Sequence, residues 1–311
     1  MKPLLLSILL SIPCFADYRP DRDGASTTVG LDVVDMQGEP VEGAKVMFRV
    51  FTTLDKCYRV MRDTDKAGHC EITGKTRGEI TVVVTKDGCY TSYGSLKYRD
   101  LPWEDAVAEH RWTRGIVGNR ITLKPVVNPQ RHVSNGMTLK PLPVANQMLP
   151  FDAFVFDWCP PYGKGKVKDF EIGCYSFTNA VPRSRRGVRI RAVQCVDGFV
   201  LRDVDEWSKF RYALNADKDA SYDKEMRFGW LPNDENGVLA EGLGFDRDKY
   251  MIFRIRSKTN EVGKIVSAYY GIIDEGLDFQ SGLSLGVQVN PVDNDTSLED
   301  DWAYRNMKKG R

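Results

Sequence analysis

The stretch that decides the fold is GEITVVVTKDG, residues 78–88. Residues 80–85 are all β-branched, which is typical of a strand, and the Lys-Asp-Gly that follows favours a turn. Similar short runs lie on both sides, as TTVGLDVVD at residues 27–35 and NRITLKPVV at residues 119–127. Strands this short and closely spaced predict a β-sandwich in the first half of the chain.

The second half also has the composition of strands. Its candidate strands are FDAFVFDW (151–158), VKDFEIGCYSF (167–177), GVRIRAVQCV (187–196), DKYMIFRIRSK (248–258), KIVSAYYGII (264–273) and LSLGVQVN (283–290). The best candidate for a helix is DVDEWSKFRYAL at residues 203–214, and TDKAGHCEITG at residues 64–74 is predicted to be a hairpin. Residues 126–150 are rich in proline and asparagine and show no period, so we predict an extended connection there, part of which pairs with a sheet.

These patterns predict an all-β protein of two domains. A β-sandwich at residues 17–125 is followed by a linker at residues 126–150 and a larger β-sandwich or jelly-roll-like domain at residues 151–311. The length of 311 residues suits two domains of the usual ~100–200 residues. The 44 Lys and Arg residues balance 43 Asp and Glu residues, which disfavours nucleic acid as a partner because phosphate binding normally needs a basic excess.

The N-terminus has the pattern of a cleaved signal peptide at residues 1–16. One lysine precedes an apolar run at residues 4–12, and Ala16 suits the position before the cleavage site. The run is too short to span a bilayer, which takes about 20 apolar residues. We therefore expect an exported protein, periplasmic or extracellular, without a membrane span after cleavage.

Six cysteines follow the predicted cleavage site: Cys57, Cys70, Cys89, Cys159, Cys174 and Cys195. An even number in an exported chain predicts disulfides, and we expect at least two, although the sequence does not choose among the 15 possible pairings. A zinc site formed by Cys57, Cys70, Cys89 and His69 is a weaker alternative, because the paired ligand spacing of compact zinc sites is absent. No metal and no cofactor are predicted.

The loop DWCPPYGKGKVKDFE at residues 157–171 contains the GKGK tetrapeptide 163–166. A phosphate-binding loop would continue with Ser or Thr and a helix, whereas a strand is predicted here, so we interpret the tetrapeptide as a turn. We expect both lysines to tolerate alanine and the glycines to be required at positive φ. The alternative is a ligand-binding surface patch of aromatic rings and lysines, which comprises Trp158, Tyr162, Lys164 and Lys166.

Other motifs are only weak indications of a catalytic or metal-binding site. GLSLG at residues 282–286 matches G-x-S-x-G, but a strand follows Ser284 and all three histidines lie upstream, so no catalytic residue is assigned. Acidic runs occur at residues 203–206, 233–235 and 293–301. They leave open a polysaccharide hydrolase that uses two carboxylates of the second domain, and calcium binding at residues 293–301, although the EF-hand glycine is missing there.

Two family resemblances follow from these motifs. GEPVEGAKVMFRV (38–50), TDKAGHCEITG (64–74) and RGEITVVVTKDGCY (77–90) resemble the carboxypeptidase regulatory-like domains, which implies a seven-stranded, transthyretin-like sandwich of a non-catalytic kind. Much of the remainder resembles a family of exported bacterial proteins, which implies no particular activity. The segments concerned are ITLKPVVNP (121–129), FDAFVFDWCPPYGKGKVKDFEI (151–172), MIFRIRSKTNEVGKIVSAYYGII (251–273) and VQVNPVDNDTSLEDD (287–301).

Together these observations predict a non-enzymatic binding or structural module of the cell envelope or extracellular space. Its expected partner is a glycan or an envelope protein, and its oligomeric state stays open. A polysaccharide hydrolase is the alternative from a different class, and a groove that contains two facing carboxyl groups would distinguish it.

Overall fold

The structure is a computed structural model that describes residues 18–52, 56–97, 107, 110–112, 120–177, 185–205, 208–232, 239–241, 249–278, 283–301 and 305. The chain divides into two compact units. The first comprises Met1–Asp87 and Thr91–Leu123, and the second comprises Gly88–Tyr90 and Lys124–Arg311. The predicted signal peptide at residues 1–16 lies outside the described residues. Among the described residues, no helix is long and apolar enough to cross a membrane.

The first unit contains a single helical turn and seven described strands. They are α1 (Pro20–Asp23), β1 (Ala25–Val34), β2 (Lys45–Phe51), β3 (Cys57–Asp63), β4 (His69–Thr76), β5 (Glu79–Thr85), β6 (Ser92–Lys97) and β7 (Arg120–Thr122). One sheet has the order β4-β1-β7, with β7 parallel to β1, and the other has the order β3-β2-β5-β6. Alternate residues of β2 and β5 are buried, as Val46, Phe48 and Val82 illustrate, because one face of their sheet is the core side.

The second unit contains eleven described strands in two sheets. They are β8 (Val133–Lys140), β9 (Met148–Asp152), β10 (Asp157–Trp158), β11 (Phe170–Phe177), β12 (Arg185–Ala192), β13 (Gly198–Asp203), β14 (Glu225–Pro232), β15 (Leu239–Glu241), β16 (Lys249–Thr259), β17 (Ile265–Asp278) and β18 (Leu283–Val289). The six-stranded sheet has the order β10-β9-β11-β12-β14-β15. The five-stranded sheet has the order β13-β16-β17-β18-β8. The protein is therefore all-β, as predicted, with sheets packed as sandwiches.

Two buried clusters explain the composition of the central strands of the second unit. Phe170 of β11 packs edge-on against Phe253 of β16, so the core lies between the two sheets. Ile252 and Ile272 belong to a second cluster on the other face of the five-stranded sheet. Because β16 is buried on both faces, its first half contains the unbroken apolar run at residues 250–253 instead of an alternating pattern.

Two local predictions differ from the structure, and a third is confirmed. The described residues of segment 203–214 form no helix but an irregular chain that follows β13. Residues 65–68 do form a turn, yet it joins β3 to β4, which lie in different sheets, so it is a corner and not a hairpin. Residues 126–150, predicted as an extended connection that partly pairs with a sheet, do so: they contain all of β8, which pairs with β18, and the first part of β9.

The prediction of at least two disulfides is wrong for this structure. Cys57, Cys70, Cys159, Cys174 and Cys195 are all free thiols, which leaves too few cysteines for two bridges. The strand register explains this result for three of them. The cross-strand neighbours of Cys57, Cys70 and Cys174 are Phe51, Leu31 and Val188, so no thiol faces another.

Candidate functional site

The loop at residues 157–167 is fixed by two carboxylates of the protein itself. The Lys166 and Val167 amides donate to Asp152 Oδ2 at 2.8 and 3.0 Å. The Lys164 amide donates to Asp157 Oδ2 at 3.0 Å. Backbone amides that would hold a bound anion in a phosphate loop are therefore occupied by internal carboxylates, which supports the interpretation of the GKGK tetrapeptide as a turn.

Close approach of the backbone, and not a positive φ, is the reason for glycine in this loop. A Cβ atom at Gly163 would lie 2.3 Å from the Trp158 carbonyl oxygen, and one at Gly165 would lie 2.8 Å from the Asp157 carbonyl oxygen. Neither glycine is among the residues with positive φ. The expectation of a left-handed backbone at these positions was therefore wrong, although the requirement for glycine has a physical basis.

The predicted ligand patch is only partly on the surface. Trp158 is 2% exposed, its Nε1 donates to the Pro141 carbonyl oxygen at 3.0 Å, and its ring packs edge-on against Phe151 in the core. It therefore offers no ring face to a ligand. Tyr162, Lys164 and Lys166 are exposed, as the patch requires.

Beneath the loop lies a charged group that sequence reasoning missed, which we call the Arg256 cluster: Asp152, Asp169 and Arg256. The Arg256 Nε donates to Asp169 Oδ1 at 2.8 Å, and its Nη2 donates to Asp169 Oδ2 at 2.9 Å and to Asp152 Oδ1 at 3.0 Å. The two carboxylates are buried, with side chains 1% and 0% exposed, whereas Arg256 is 25% exposed.

A break in strand register brings Arg256 to these carboxylates. Arg256 has φ of 53°, and the pairing of β16 with β17 shifts between Ile255 and Lys258. A bulge of this kind redirects a side chain out of the regular alternation. The guanidinium then lies 4.3 Å above the Phe154 ring, an arrangement that favours a cation.

The Arg256 cluster is suited to holding the fold and not to acid–base chemistry. Burial raises the pKa of Asp169, and this effect outweighs the hydrogen bond from Arg256. Burial acts in the same direction on Asp152, but amide hydrogen bonds and the Arg256 charge lower the pKa of that carboxyl overall. Both oxygens of Asp152 accept backbone amides, with Phe154 and Val155 bonded to Oδ1 at 3.0 and 3.1 Å. These acceptor positions are therefore already in use.

The zinc and hydrolase motifs are not assembled into sites among the described residues, and the acidic run at residues 233–235 lies outside them. Among the described residues, no group of three or more His, Cys, Asp or Glu side chains could hold a metal ion. Cys57 and Cys70, two ligands of the weak zinc alternative, lie on strands of different sheets. Ser284 lies within β18, so the strand–turn–helix of a hydrolase elbow is not formed around it.

The acidic run at residues 293–301 binds its own chain. The buried carboxylate of Glu299 accepts the Tyr90 hydroxyl at 3.0 Å and the Val127 and Asn128 amides at 3.0 and 2.7 Å. Asp295 Oδ1 accepts the Ser297 amide at 3.0 Å. The Glu299 oxygens therefore fix residues 127 and 128, and Asp295 Oδ1 fixes the turn that precedes Ser297.

The outer face of the six-stranded sheet carries the most regular polar array of the described residues. We call it the arginine face: Glu171, Arg189, Arg191, Glu225 and Arg227. Arg189 lies directly opposite Arg227 on the next strand, and Arg191 lies opposite both Glu171 and Glu225. The alternate residues of β11, β12 and β14, among them Ile172, Ile190 and Phe228, are buried in the core. All five polar side chains therefore share the opposite face.

Shared carboxylates hold these arginines in place. Glu225 lies 2.7 Å from Arg189 Nε and 2.6 Å from Arg227 Nε, and Arg191 Nε donates to Glu171 at 2.9 Å. Like charges directly opposite on adjacent strands repel, and Glu225 offsets that repulsion. Burial would raise the pKa of Glu225, but the two arginines outweigh burial and lower it. Three guanidinium groups against two carboxylates leave the array with one excess positive charge.

Only part of the arginine face is open to solvent. Gly187 and Gly229 are cross-strand neighbours two residues along from Arg189 and Arg227, and here the face is covered, because Gly187 is buried and Leu231 of β14 is 3% exposed. The arginines at 191 and 227 keep 41% and 42% of their side chains exposed. The sequence feature that could have predicted this face is the alternation in RRGVRIRA, residues 185–192, because charged residues at every second position of a strand share one face.

No protein-family model matches the chain, and comparison with curated proteins found no match. Among solved structures, a 3-chlorocatechol 1,2-dioxygenase from Rhodococcus opacus is 15% identical, with a TM-score of 0.26 over 35% of this chain. The chain spans 63% of the length of that enzyme. A DUF3823 family protein from Parabacteroides merdae is 10% identical, with a TM-score of 0.22 over 89% of this chain and 100% of its own. A putative carbohydrate binding protein from Bacteroides uniformis is 10% identical, with a TM-score of 0.17 over 88% of this chain and 99% of its own.

Proposed function

We propose that the protein is an exported, non-enzymatic binding module and that its ligand is an acidic carbohydrate bound on the arginine face. The observation that carries this proposal is the array of three guanidinium groups that Glu171 and Glu225 hold on one sheet face. A planar guanidinium binds a carboxylate through two parallel hydrogen bonds. The glutamates accept hydrogen bonds from sugar hydroxyls, and the excess positive charge favours a ligand that carries carboxylates.

The buried carboxylates of the Arg256 cluster lack the geometry of a glycosidase pair. A glycosidase needs two carboxyl groups about 5–10 Å apart with open access to the sugar. Asp152 and Asp169, the buried pair, both face Arg256 and are 1% and 0% exposed. The alternative of a polysaccharide hydrolase therefore gains no support from this pair. Export, either to the periplasm or beyond the cell, rests on the apolar run before Ala16.

The proposal is tested by screening the purified protein on a glycan array that contains acidic and neutral oligosaccharides. Oligogalacturonate and a neutral oligosaccharide of equal length are then compared by titration calorimetry. We expect binding of the acidic chain only, weakened by added salt because the contact is between exposed charges. Arg191→Ala and Arg227→Ala should each weaken binding by about 10-fold or more.

The matched control is Arg202→Ala, which removes an exposed arginine from β13 in the other sheet. This variant should bind like the wild type. Lys164→Ala and Lys166→Ala test the other location, the exposed part of the predicted loop patch. A loss of binding in these lysine variants alone would move the site to the loop, and the absence of any acidic ligand on the array would refute the proposal.

A further inference from the structure

The strand β3 has an open edge in the first unit. Among the described residues, β2 is the only strand that pairs with it. Six of its seven side chains are exposed and Val60, on the core side, is half-buried. The Tyr58 hydroxyl lies over Gly74 of β4, so the face that carries Arg59, Met61 and Asp63 is the more open one. Met61 is 56% exposed and Tyr58 is 37% exposed. An exposed edge of this kind is a template for pairing with another strand.

The direction of the backbone groups shows which residues face the open edge. The Thr64 amide, just beyond β3, donates to the Ala44 carbonyl oxygen at 3.0 Å on the β2 side, and the Thr64 carbonyl accepts the Gly43 amide at 2.9 Å. Hydrogen-bonding groups alternate in direction along an antiparallel strand. The N–H and C=O groups of Arg59, Met61 and Asp63 therefore point away from β2. The Met61 carbonyl oxygen accepts Arg62 Nη1 at 2.8 Å, and pairing with another strand would exchange this exposed bond for a backbone amide.

An apolar row crosses the outer face of this sheet and ends at the same edge. Met61 is the cross-strand neighbour of Met47, Met47 of Val83, and Val83 of Tyr93. Tyr93 is 39% exposed, and the two central residues are half-buried. The row therefore presents a continuous apolar strip to solvent.

Charged residues flank the apolar row on the same face. Arg59 lies opposite Arg49 on one side of it, and Asp63 lies opposite Lys45 on the other. The edge strand thus carries a positive and a negative side chain at equal distances from Met61. This arrangement is self-complementary, because rotation by 180° about Met61 exchanges the two charges.

We propose that two copies of this chain associate by antiparallel pairing of their β3 strands about a two-fold axis at Met61. The pairing joins two four-stranded sheets into one of eight strands. Met61 then lies opposite Met61 of the second copy, and the apolar row continues across the interface. Arg59 lies opposite Asp63 of the second copy, twice by symmetry. Such an interface is isologous, the commonest arrangement of homodimers.

The side chains of β3 select this register over its neighbours. Opposite residues of an antiparallel pair share a face, so the two-fold axis must pass through a residue and not between two. An axis at Arg59 would oppose two arginines. An axis at Val60 would place Arg59 against Met61 and interrupt the apolar row. The contact between two arginines in the Arg59 register would disfavour association. Only the axis at Met61 combines the continuous apolar row with two ion pairs.

The association constant of the purified full chain is measured by sedimentation equilibrium over a series of concentrations. We expect a dimer that Arg59→Asp weakens by about 10-fold or more, because two aspartates then face each other at both ends of the pairing. The double variant Arg59→Asp, Asp63→Arg restores the unlike charges and should recover dimerisation. Lys75→Asp, the same kind of charge change at an exposed position of β4 in the other sheet, is the control and should dimerise like the wild type.

Cross-linking tests the register directly. In a background with the exposed Cys57 and Cys195 both changed to serine, Met61→Cys should form a disulfide-linked dimer under mild oxidation, because Cα atoms of a hydrogen-bonded pair lie about 5.5 Å apart. Val60→Cys in the same background should remain largely monomeric on a non-reducing gel. A protein that stays monomeric at every concentration, a dimer insensitive to Arg59→Asp, or preferential cross-linking through position 60 would overturn the proposal.

Discussion

Gly165 shows how a single missing Cβ atom fixes the loop at residues 157–167. Gly165→Ala would place a methyl group 2.8 Å from the Asp157 carbonyl oxygen and 2.9 Å from Asp152 Cβ, so the loop must shift. We expect a loss of about 1–3 kcal/mol, as for other overpacked sites. Lys166→Ala is the control and should stay within about 0.5 kcal/mol of the wild type, because its side chain is exposed. Urea denaturation measures both, and equal stabilities would contradict the close-packing argument.

Among the substitutions proposed in the second unit, replacement of Arg256 should lower the free energy of unfolding most. Arg256→Ala leaves Asp152 and Asp169 buried without their counter-ion, and breaking a buried ion pair costs about 3–5 kcal/mol. Arg256→Lys should recover only part of this loss, because an ammonium group cannot reproduce the forked contact with Asp169. Lys258→Ala, an exposed position on the same strand, is the control. A loss below about 1 kcal/mol for Arg256→Ala in thermal and urea melts would show that the cluster is not structural.

His132 makes stability depend on pH. The side chain is 8% exposed, and neither ring nitrogen makes a hydrogen bond of good geometry to a described residue, although the Ser297 backbone lies near the ring. Burial lowers the pKa of His132 to about 4, against smaller opposite effects of the Ser297 backbone and of Asp295 and Asp301. The unfolded chain, with a His pKa of about 6.5, binds more protons between these values, so stability falls as pH falls through that range.

The measurement is the free energy of unfolding of the wild type and of His132→Leu at pH 7 and pH 4.5. We expect the wild type to lose about 2 kcal/mol more than the variant over this interval. Other titrating groups are common to both proteins and cancel in the comparison. Equal losses in the two proteins would mean that the buried ring does not resist protonation.

The element that depends most on one side chain is the loop at residues 157–167. Asp152→Asn keeps the shape of the side chain but turns an NH2 group towards amides that now bond to a carboxylate. We expect hydrogen exchange of the Lys166 and Val167 amides to accelerate by about 10-fold or more. The Ile172 amide in β11 reports global unfolding and serves as the internal reference. Unchanged exchange at Lys166 and Val167 would show that Asp152 does not hold the loop.

Individual elements differ in how far their sequence reveals them. β5 was predicted from residues 80–85 because β-branched residues and a following turn are local signals. The helix predicted at 203–214 failed although Phe210 and Leu214 are buried four residues apart. Backbone groups of that segment are bonded from elsewhere: Lys124 Nζ donates to the Phe210 and Tyr212 carbonyls at 3.1 Å. Side chains from distant elements thus replace helical hydrogen bonds.

Sites formed by residues that are distant in sequence could not be predicted from local patterns for the same reason. Arg256 binds Asp169 and Asp152 across 87 and 104 residues of sequence, and the bulge that turns it towards them leaves no mark in the alternation. The arginine face could have been predicted in part, since the spacing of Arg189 and Arg191 places them on one side of a strand. Their cross-strand partners depend on sheet order, which the sequence does not specify.

At the scale of the whole molecule, the two units carry thiols that differ in reactivity. Cys57 in the first unit and Cys195 in the second are exposed, whereas Cys70 and Cys174 are buried. Burial raises the pKa of Cys70 to about 11 and that of Cys174 to about 12, so neither forms the reactive thiolate at neutral pH. Stability in both units therefore comes from strand pairing and core packing, without covalent links among these residues.

The corresponding experiment is alkylation of the native protein at pH 7.5, followed by mass spectrometry of its peptides. We expect Cys57 and Cys195 to be modified within minutes and Cys70 and Cys174 only after unfolding. A reductant should leave the melting temperature unchanged, because it has no bridge to break among the free thiols. A lower melting temperature in reductant, together with peptides joined by disulfides, would contradict the structure. Such a result would support the disulfides that the even number of cysteines predicted. Because exposed and buried thiols occur in both units, the experiment tests both units together.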